Sequence, residues 1–212
     1  MAQPADPAAE AIARNARASS VKVTALTCQF LSSGSGFAIA PDYVVTNAHV
    51  VAGGRTIRVA PPDGQARDAV AVFDDPELDV ALLWVPGLGA TPLRLASTDP
   101  ARGAIGATIG YPHGFGQTVS PAAVAGAYTA QGRDIHGEQR VSRRILELRA
   151  AIEQGDSGGP LILSDGTVGG VVFAEARTDD DVGYALTPTS VARAVEPSLG
   201  RTGPVDTGAC IR

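Results

Sequence analysis

The sequence predicts an all-β fold, and three observations carry that expectation. Around a dozen short apolar or alternating runs follow one another, each bounded by turn residues. Glycine and proline are plentiful, 25 and 15 in 212 residues, which suits many short strands joined by tight turns. After residue 20 a single segment has helical character. A hydrophobic fraction of 44% over this length can bury a sizeable core. Strands at this spacing belong in a barrel or a sandwich.

The elements read as follows. Residues 2–20 are Ala-rich and helical from Pro7 to Arg17, with apolar spacing too poor for a core helix. The strand runs are Val21–Leu26, Gly36–Ala40, Tyr43–Thr46, Thr56–Ala60, Ala69–Phe73, Val80–Val85 and Leu93–Ala96, then Ala104–Tyr111, Val119–Ala127, Arg144–Arg149, Leu161–Leu163, Val168–Phe173 and Gly183–Leu186. Turn signals divide them at Ser32-Ser33-Gly34, Pro61-Pro62-Asp63-Gly64, Ser97-Thr98-Asp99-Pro100 and Asp165-Gly166. Thr189–Val195 is the helix, between Pro188 and Pro197. The stretch Asp99–Gly103 is the natural midpoint. It separates an extension (1–20) and a first half (21–100) from a second half with the helix (101–200) and a tail (201–212) that carries Cys210. No internal repeat stands out.

Charge and hydropathy exclude several functions. A net charge of −5 has no polyanion-binding character, so nucleic acid is not an expected partner. No apolar run reaches the roughly 18–20 residues of a membrane span. Asp6, Glu10, Arg14 and Arg17 interrupt any leader-like apolar run at the start. The segment is expected to be soluble and free of membrane contact, and a longer parent can still be anchored.

Cys28 and Cys210 stand near opposite ends, and neither lies in a CxxC pair. With three histidines no zinc site is expected, and no other metal or cofactor is implied. The cysteines are either two unrelated buried thiols or one disulfide. The disulfide is favoured, because a polar, Gly-rich tail is an odd place for a core thiol. Such a bond implies an oxidising compartment.

The strongest chemical signal is Gly155-Asp156-Ser157-Gly158-Gly159-Pro160. A serine hydroxyl is a poor nucleophile until a base takes its proton, and acyl transfer needs N–H donors aimed at a developing oxyanion. Flanking glycines let the backbone curl into that geometry. The pattern also fits a G-x-S-x-G nucleophile elbow, but that fold places its histidine after the serine. Here His49, His113 and His136 all precede Ser157. A carboxylate-first order fits poorly too, since only Asp6 and Asp42 precede His49 among the aspartates. The order His…Asp…Ser remains.

His49, in Thr46-Asn47-Ala48-His49-Val50, follows the apolar run Tyr43-Val44-Val45 and is the candidate base. His113 and His136 read as loop residues. Asp79, in Leu78-Asp79-Val80-Ala81-Leu82-Leu83, opens a buried strand and is the candidate orienting carboxylate. Asp74, Asp75 and Glu77 read as a solvated turn, and Asp179-Asp180-Asp181 as an exposed hairpin tip.

These three motifs, with Gly34-Ser35-Gly36-Phe37 upstream, resemble the trypsin-like bacterial proteases of the chymotrypsin and HtrA group. The likeness runs from about Val21 to Val195. Within the group the chain is most similar to the MarP-type membrane-anchored periplasmic proteases of actinobacteria. The pointers are the early and late cysteines, the absence of a PDZ domain after residue 200 and the strand Val171-Val172-Phe173-Ala174. The resemblance implies two antiparallel six-stranded β-barrels with a C-terminal helix. His49 and Asp79 then come from the first barrel and Ser157 from the second. The Gly155 and Ser157 N–H groups form the oxyanion hole. Ala151, Ile152, Phe173 and Ala174 wall a substrate pocket, and none is charged, so small or medium apolar P1 residues are expected despite Glu153 and Glu175 nearby. A family of this kind works on peptide or protein substrates in the periplasm or another extracytoplasmic space, tied to acid and oxidative stress, and a monomer is expected. Residues 1–21 have no Ile-Val-Gly-Gly-like start to pair with Asp156, so Arg143, Arg144 or Arg149 is expected as its partner. Two rival readings are a pseudoprotease or redox-sensing binding module, and an HtrA-like quality-control protease lacking its PDZ domain.

Overall fold

A computed structural model describes residues 6–28, 30–176, 179 and 181–211. The first six strands are β1 (Ser20–Leu26), β2 (Leu31–Ala40), β3 (Tyr43–Thr46), β4 (Thr56–Ala60), β5 (Arg67–Asp75) and β6 (Val80–Trp84). They close in the order β1-β2-β3-β6-β5-β4, with β4 returning to β1 through pairs such as Val23↔Val59. The second six are β7 (Ile105–Gly110), β8 (Thr118–Arg133), β9 (Arg140–Arg149), β10 (Pro160–Leu163), β11 (Val168–Glu175) and β12 (Val182–Leu186). They close in the order β10-β11-β12-β9-β8-β7. All pairs are antiparallel, so the all-β, two-barrel expectation holds. Three short helices accompany the barrels: α1 (Pro7–Ala13), α2 (Ala48–Val51) and α3 (Pro188–Val195). Among the described residues no helix is long and apolar enough to cross a membrane.

The apolar runs that do not alternate have a physical reason. In β6, Ala81 and Leu83 point into the first barrel, whereas Val80 and Leu82 join the cluster between the barrels. The same division separates Ala38 from Phe37 in β2 and Val44 from Val45 in β3. Strands with a core on each face are apolar throughout. The second barrel contributes Ala107, Ile109, Ile162, Val171 and Leu186 to the shared cluster, and α3 contributes Val191 and Val195.

Four sequence expectations change. The N-terminal helix is part of the core: Ala9, Ala13 and Ala16 are 0–3% exposed within the shared cluster. Their side chains are small, so the helix approaches closely without a broad apolar stripe. Leu93–Ala96 is no strand; only Leu95 makes a single bridge, to Val168. The segment instead crosses between the barrels, with Leu93 N–H donating to Ala38 O and Ala96 N–H to Val168 O. The β8–β9 hairpin runs to Arg133 and back from Arg140, well past the expected Ala127 and Arg144. Its outer half is solvated on much of its surface, so it lacks the apolar alternation that marks a strand. Finally, Asp74 is half-buried rather than fully solvated. It lies in β5 with a buried Oδ1 that has no hydrogen-bond partner, and burial pushes its pKa up to about 7.

The outer hairpin reaches the first barrel. Ile135 N–H donates to Pro76 O at 3.2 Å, and the Arg143 guanidinium donates to the carbonyls of Pro76 and Glu77. The C-terminal tail also returns to the first barrel. Val205 N–H donates to Ala71 O, Gly53 N–H donates to Thr207 O, and Cys210 is disulfide-bonded to Cys28. Of the acidic run, Asp179 accepts from Asp181 N–H in an exposed turn, while Asp180 lies outside the described residues.

Candidate active site

His49 sits one residue into α2, a helix pinned by the buried Ala48, Val50 and Val51. Asp79 precedes β6 in a left-handed conformation, φ 68°, uncommon for a residue with a side chain. Its turn is built by Asp75, whose Oδ1 accepts from the Glu77 and Leu78 N–H groups and whose carbonyl accepts from Asp79 N–H. The result aims the Asp79 carboxylate at His49. Oδ2 lies 2.8 Å from ring Nδ1, and Oδ1 accepts from the His49 backbone N–H at 3.0 Å. Asn47 Nδ2 closes the arrangement by donating to Asp79 O at 2.7 Å. The carboxylate is 6% exposed and the imidazole 31%, so the pair is shielded on one side and open on the other.

Ser157 lies between β9 and β10, and its backbone meets the first barrel close to α2. Gly34 stands between them: a Cβ there would fall 2.6 Å from Val50 Cγ2 and 3.0 Å from Ser157 O. The close approach of α2 and the serine loop therefore needs glycine at 34. Ser157 Oγ makes a long hydrogen bond to Phe173 O, 3.4 Å. Among the described residues none joins Oγ to His49. Catalytic hydrogen bonds are often long or misaligned before substrate binds.

The backbone around Ser157 can be accounted for plane by plane. Gln154 O accepts from His113 N–H at 2.6 Å. Gly155 O accepts from the Ser35 hydroxyl at 2.7 Å, and Asp156 N–H donates to Glu153 O. Asp156 O accepts from Gly159 N–H. Ser157 O accepts from Ser35 N–H at 2.7 Å, and Gly158 N–H donates to Val172 O. Within these four peptide planes two donors have no partner among the described residues: the N–H groups of Gly155 and Ser157. With Gln154 O drawn outward, the opposite end of that peptide, the Gly155 N–H, is turned the other way. Gly155 needs φ 107° for this, where a Cβ would collide with the Tyr111 carbonyl.

Among the described residues Asp156 has no arginine partner, and none of the three expected arginines reaches it. Arg143 is spent on the Pro76 and Glu77 carbonyls, Arg144 pairs with Asp99, and Arg149 lies 3.7 Å from Asp179. Asp156 Oδ2 accepts from Glu153 N–H, while Oδ1 is buried without a partner. Burial pushes its pKa up to about 6. His113 has an exposed side chain, as expected, paired with Glu153 at 3.1 Å. Its backbone N–H nevertheless belongs to the site. His136 lies at the turn of the outer hairpin.

The expected pocket residues divide. Phe173 and Ala174 are partly exposed on β11, the strand whose carbonyl receives Ser157 Oγ. Ile152 is 5% exposed in the core of the second barrel, against Gly183. Ala151 lines a groove of about 520 Å³ with Ile105, Pro121, Ala122, Ala123 and Asp181. Sequence reasoning missed Ser35 and the His113 main chain. Only Ser35 lay in a motif already noted, and nothing in that motif signalled a hydroxyl bridging the barrels.

Comparison with known proteins agrees with this geometry. The trypsin-like peptidase domain matches residues 34–171. Serine protease Rv3671c of Mycobacterium tuberculosis is 44% identical over 194 residues, 90% of this chain and 48% of that protein. A probable periplasmic serine endoprotease, DegP-like, of Ectopseudomonas mendocina is 36% identical over 182 residues, 84% of this chain and 37% of that protein. The chain thus spans less than half the length of these relatives. The crystal structure of the Rv3671c protease in its active form superposes with a TM-score of 0.93 at 41% identity, covering 99% of this chain and 94% of that one. The inactive form gives 0.81 at 39% identity, covering 93% and 98%.

Proposed function

The chain belongs to the trypsin-like peptidase family, and from that membership we propose that it hydrolyses peptide bonds within proteins through an acyl-enzyme on Ser157. His49 Nε2 takes the Ser157 proton as Oγ attacks the scissile carbonyl carbon. The Gly155 and Ser157 N–H groups receive the oxyanion. His49⁺ then gives its proton to the leaving amine, and water repeats the sequence to release the acid. Asp79 holds Nδ1–H and so leaves Nε2 as the base. The observation that carries this reading is the pair of unpartnered N–H groups at Gly155 and Ser157 in the second barrel, together with a carboxylate-held imidazole in the first. Apolar Phe173 and Ala174 favour small or medium apolar P1 residues. A peptide-library profile dominated by basic P1 residues would overturn that preference.

The setting we infer is extracytoplasmic, in a parent anchored elsewhere, with a role under acid or oxidative stress. The disulfide, the periplasmic naming of the DegP-like relative and the two carboxylates that favour folding at acid pH support it. The Ser157 Oγ contact to Phe173 O favours, as a second reading, a sensing module whose triad is held apart. A fluorophosphonate probe separates the two. Strong labelling of the chain, absent from Ser157→Ala, is expected. Labelling no greater than that control, in oxidised and reduced protein alike, would leave the second reading.

A further inference from the structure

We propose that Ser35 is a positioning residue for the oxyanion hole, which makes the hole a joint product of both barrels. The inference rests on the peptidase reading above. Ser35 belongs to β2 of the first barrel and is 1% exposed. It holds two of the four consecutive peptide planes around the nucleophile. Its hydroxyl donates to Gly155 O at 2.7 Å, and its backbone N–H donates to Ser157 O at 2.7 Å. The direction of the hydroxyl proton is itself decided. Tyr111 N–H donates to Ser35 Oγ at 2.9 Å, which occupies an oxygen lone pair and leaves the proton for Gly155 O. Tyr111 is buried in turn, and its phenol donates to Ser20 O.

The consequence follows from Gly155. A glycine at φ 107° has no side chain to resist rotation, so its conformation is set by what holds the planes on either side. His113 N–H holds the plane before it through Gln154 O, and the Ser35 hydroxyl holds the plane after it. Without the hydroxyl, Gly155 O and Tyr111 N–H both lose a buried partner, and the peptide is free to turn and satisfy Gly155 O elsewhere. That rotation carries the neighbouring N–H groups off the oxyanion. The contact to substrate in its ground state is little changed, because the hole acts on charge that develops later.

The test compares Ser35→Ala with Thr46→Val. Thr46 is equally buried, and its hydroxyl donates to Ser35 O at 2.7 Å. Its loss removes a hydrogen bond at the same place without touching Gly155 or Tyr111. Turnover of a peptide substrate is measured with binding of a peptide boronate, which presents a tetrahedral oxyanion, and of the matching product peptide, which does not. Ser35→Ala is expected to lower kcat about 10–100-fold, with KM and product binding near wild type and boronate affinity falling by a similar factor. Thr46→Val is expected to keep kcat and boronate affinity within about 3-fold. If Ser35→Ala unfolds, Ser35→Cys, with a weaker donor of similar shape, should give the same split at smaller size. Equal losses of stability in both variants with kcat unchanged would overturn the proposal, as would parallel losses of boronate and product binding. Failure of the wild-type chain to label with fluorophosphonate would instead overturn the peptidase reading.

Discussion

The Asp79 carboxylate holds His49 by two atoms at once, the ring Nδ1 at 2.8 Å and the backbone N–H at 3.0 Å. The second bond matters because it fixes the start of α2 relative to the β5–β6 turn. The imidazole is thereby oriented by its own main chain as well as by its ring. Asp79 adopts φ 68° to do this, in a turn closed by Asp75 and clasped from the second barrel by Arg143.

Asp79→Asn keeps the shape and most of the backbone bond, but an amide nitrogen facing Nδ1 favours the wrong tautomer. The expected result is a fall in kcat of about 10³–10⁴-fold with KM within a few-fold, read from initial rates on a peptide substrate. Tm should change little. A kcat within 10-fold of wild type would mean that another group orients His49.

Two carboxylates, half-buried Asp74 and buried Asp156, give the expected pH dependence of stability. Asp74 is pushed up to about 7, chiefly by burial and then by Asp79, Asp75 and Asp206, and Asp156 to about 6, chiefly by burial. Each binds its proton more tightly in the fold than in the unfolded chain, where an aspartate titrates near 4. Between about pH 4 and pH 7 the native state therefore holds more protons, and its stability falls as pH rises. The melting temperature is expected to be higher at pH 5 than at pH 8. Asp74→Asn should raise Tm at pH 8 and flatten the slope. An unchanged slope in that variant would remove Asp74 from the account.

How much of this was legible depended on whether the information resides in side-chain identity. Ser157, His49 and Asp79 stood out because the proposed chemistry demands those residue types in that chain order. The absence of any histidine after Ser157 decided between two folds. The His113 N–H was not readable, since main-chain donors leave no mark on residue choice, and the Ser35 hydroxyl was not, since its acceptor, Gly155 O, is 120 residues away. Asp74 stayed hidden because its shielding arises at the end of β5, opposite Ala81 of β6, where a run of acidic residues reads as a turn. The outer β8–β9 hairpin was hidden for the opposite reason: it is solvated, so no apolar period reports it.

The alanines of α1 offer a direct test of the N-terminal helix. Ala13 is fully buried in the shared cluster, whereas Ala8 on the same helix is exposed. Ala13→Leu forces extra volume between α1 and the second barrel and is expected to cost about 1–3 kcal/mol. Ala8→Leu should stay within about 0.5 kcal/mol. Urea unfolding of both variants checks this. Equal, small effects would show that the helix is not docked in solution.

The disulfide ties the tail to Cys28, just after β1, and holds it beside the residues that follow the His49 helix. Cys210 packs against Gly53, just after α2, and the preceding Thr207 O receives the Gly53 N–H. The sequence separation between Cys28 and Cys210 is 182 residues, so the bond restricts nearly the whole unfolded chain. The chain-entropy estimate is roughly 5 kcal/mol for such a loop. Reduction, or Cys28→Ser with Cys210→Ser, is expected to lower unfolding free energy by an amount up to that size. Beyond the global effect, release of the tail takes away the Gly53 and Ala71 contacts, and α2 loses one of its fixed ends. Amide exchange at Gly53 should therefore rise with reduction, and kcat should fall more than KM changes. A reduced protein with unaltered exchange at Gly53 and unaltered kcat would confine the bond to stabilising the fold as a whole, with no hold on His49.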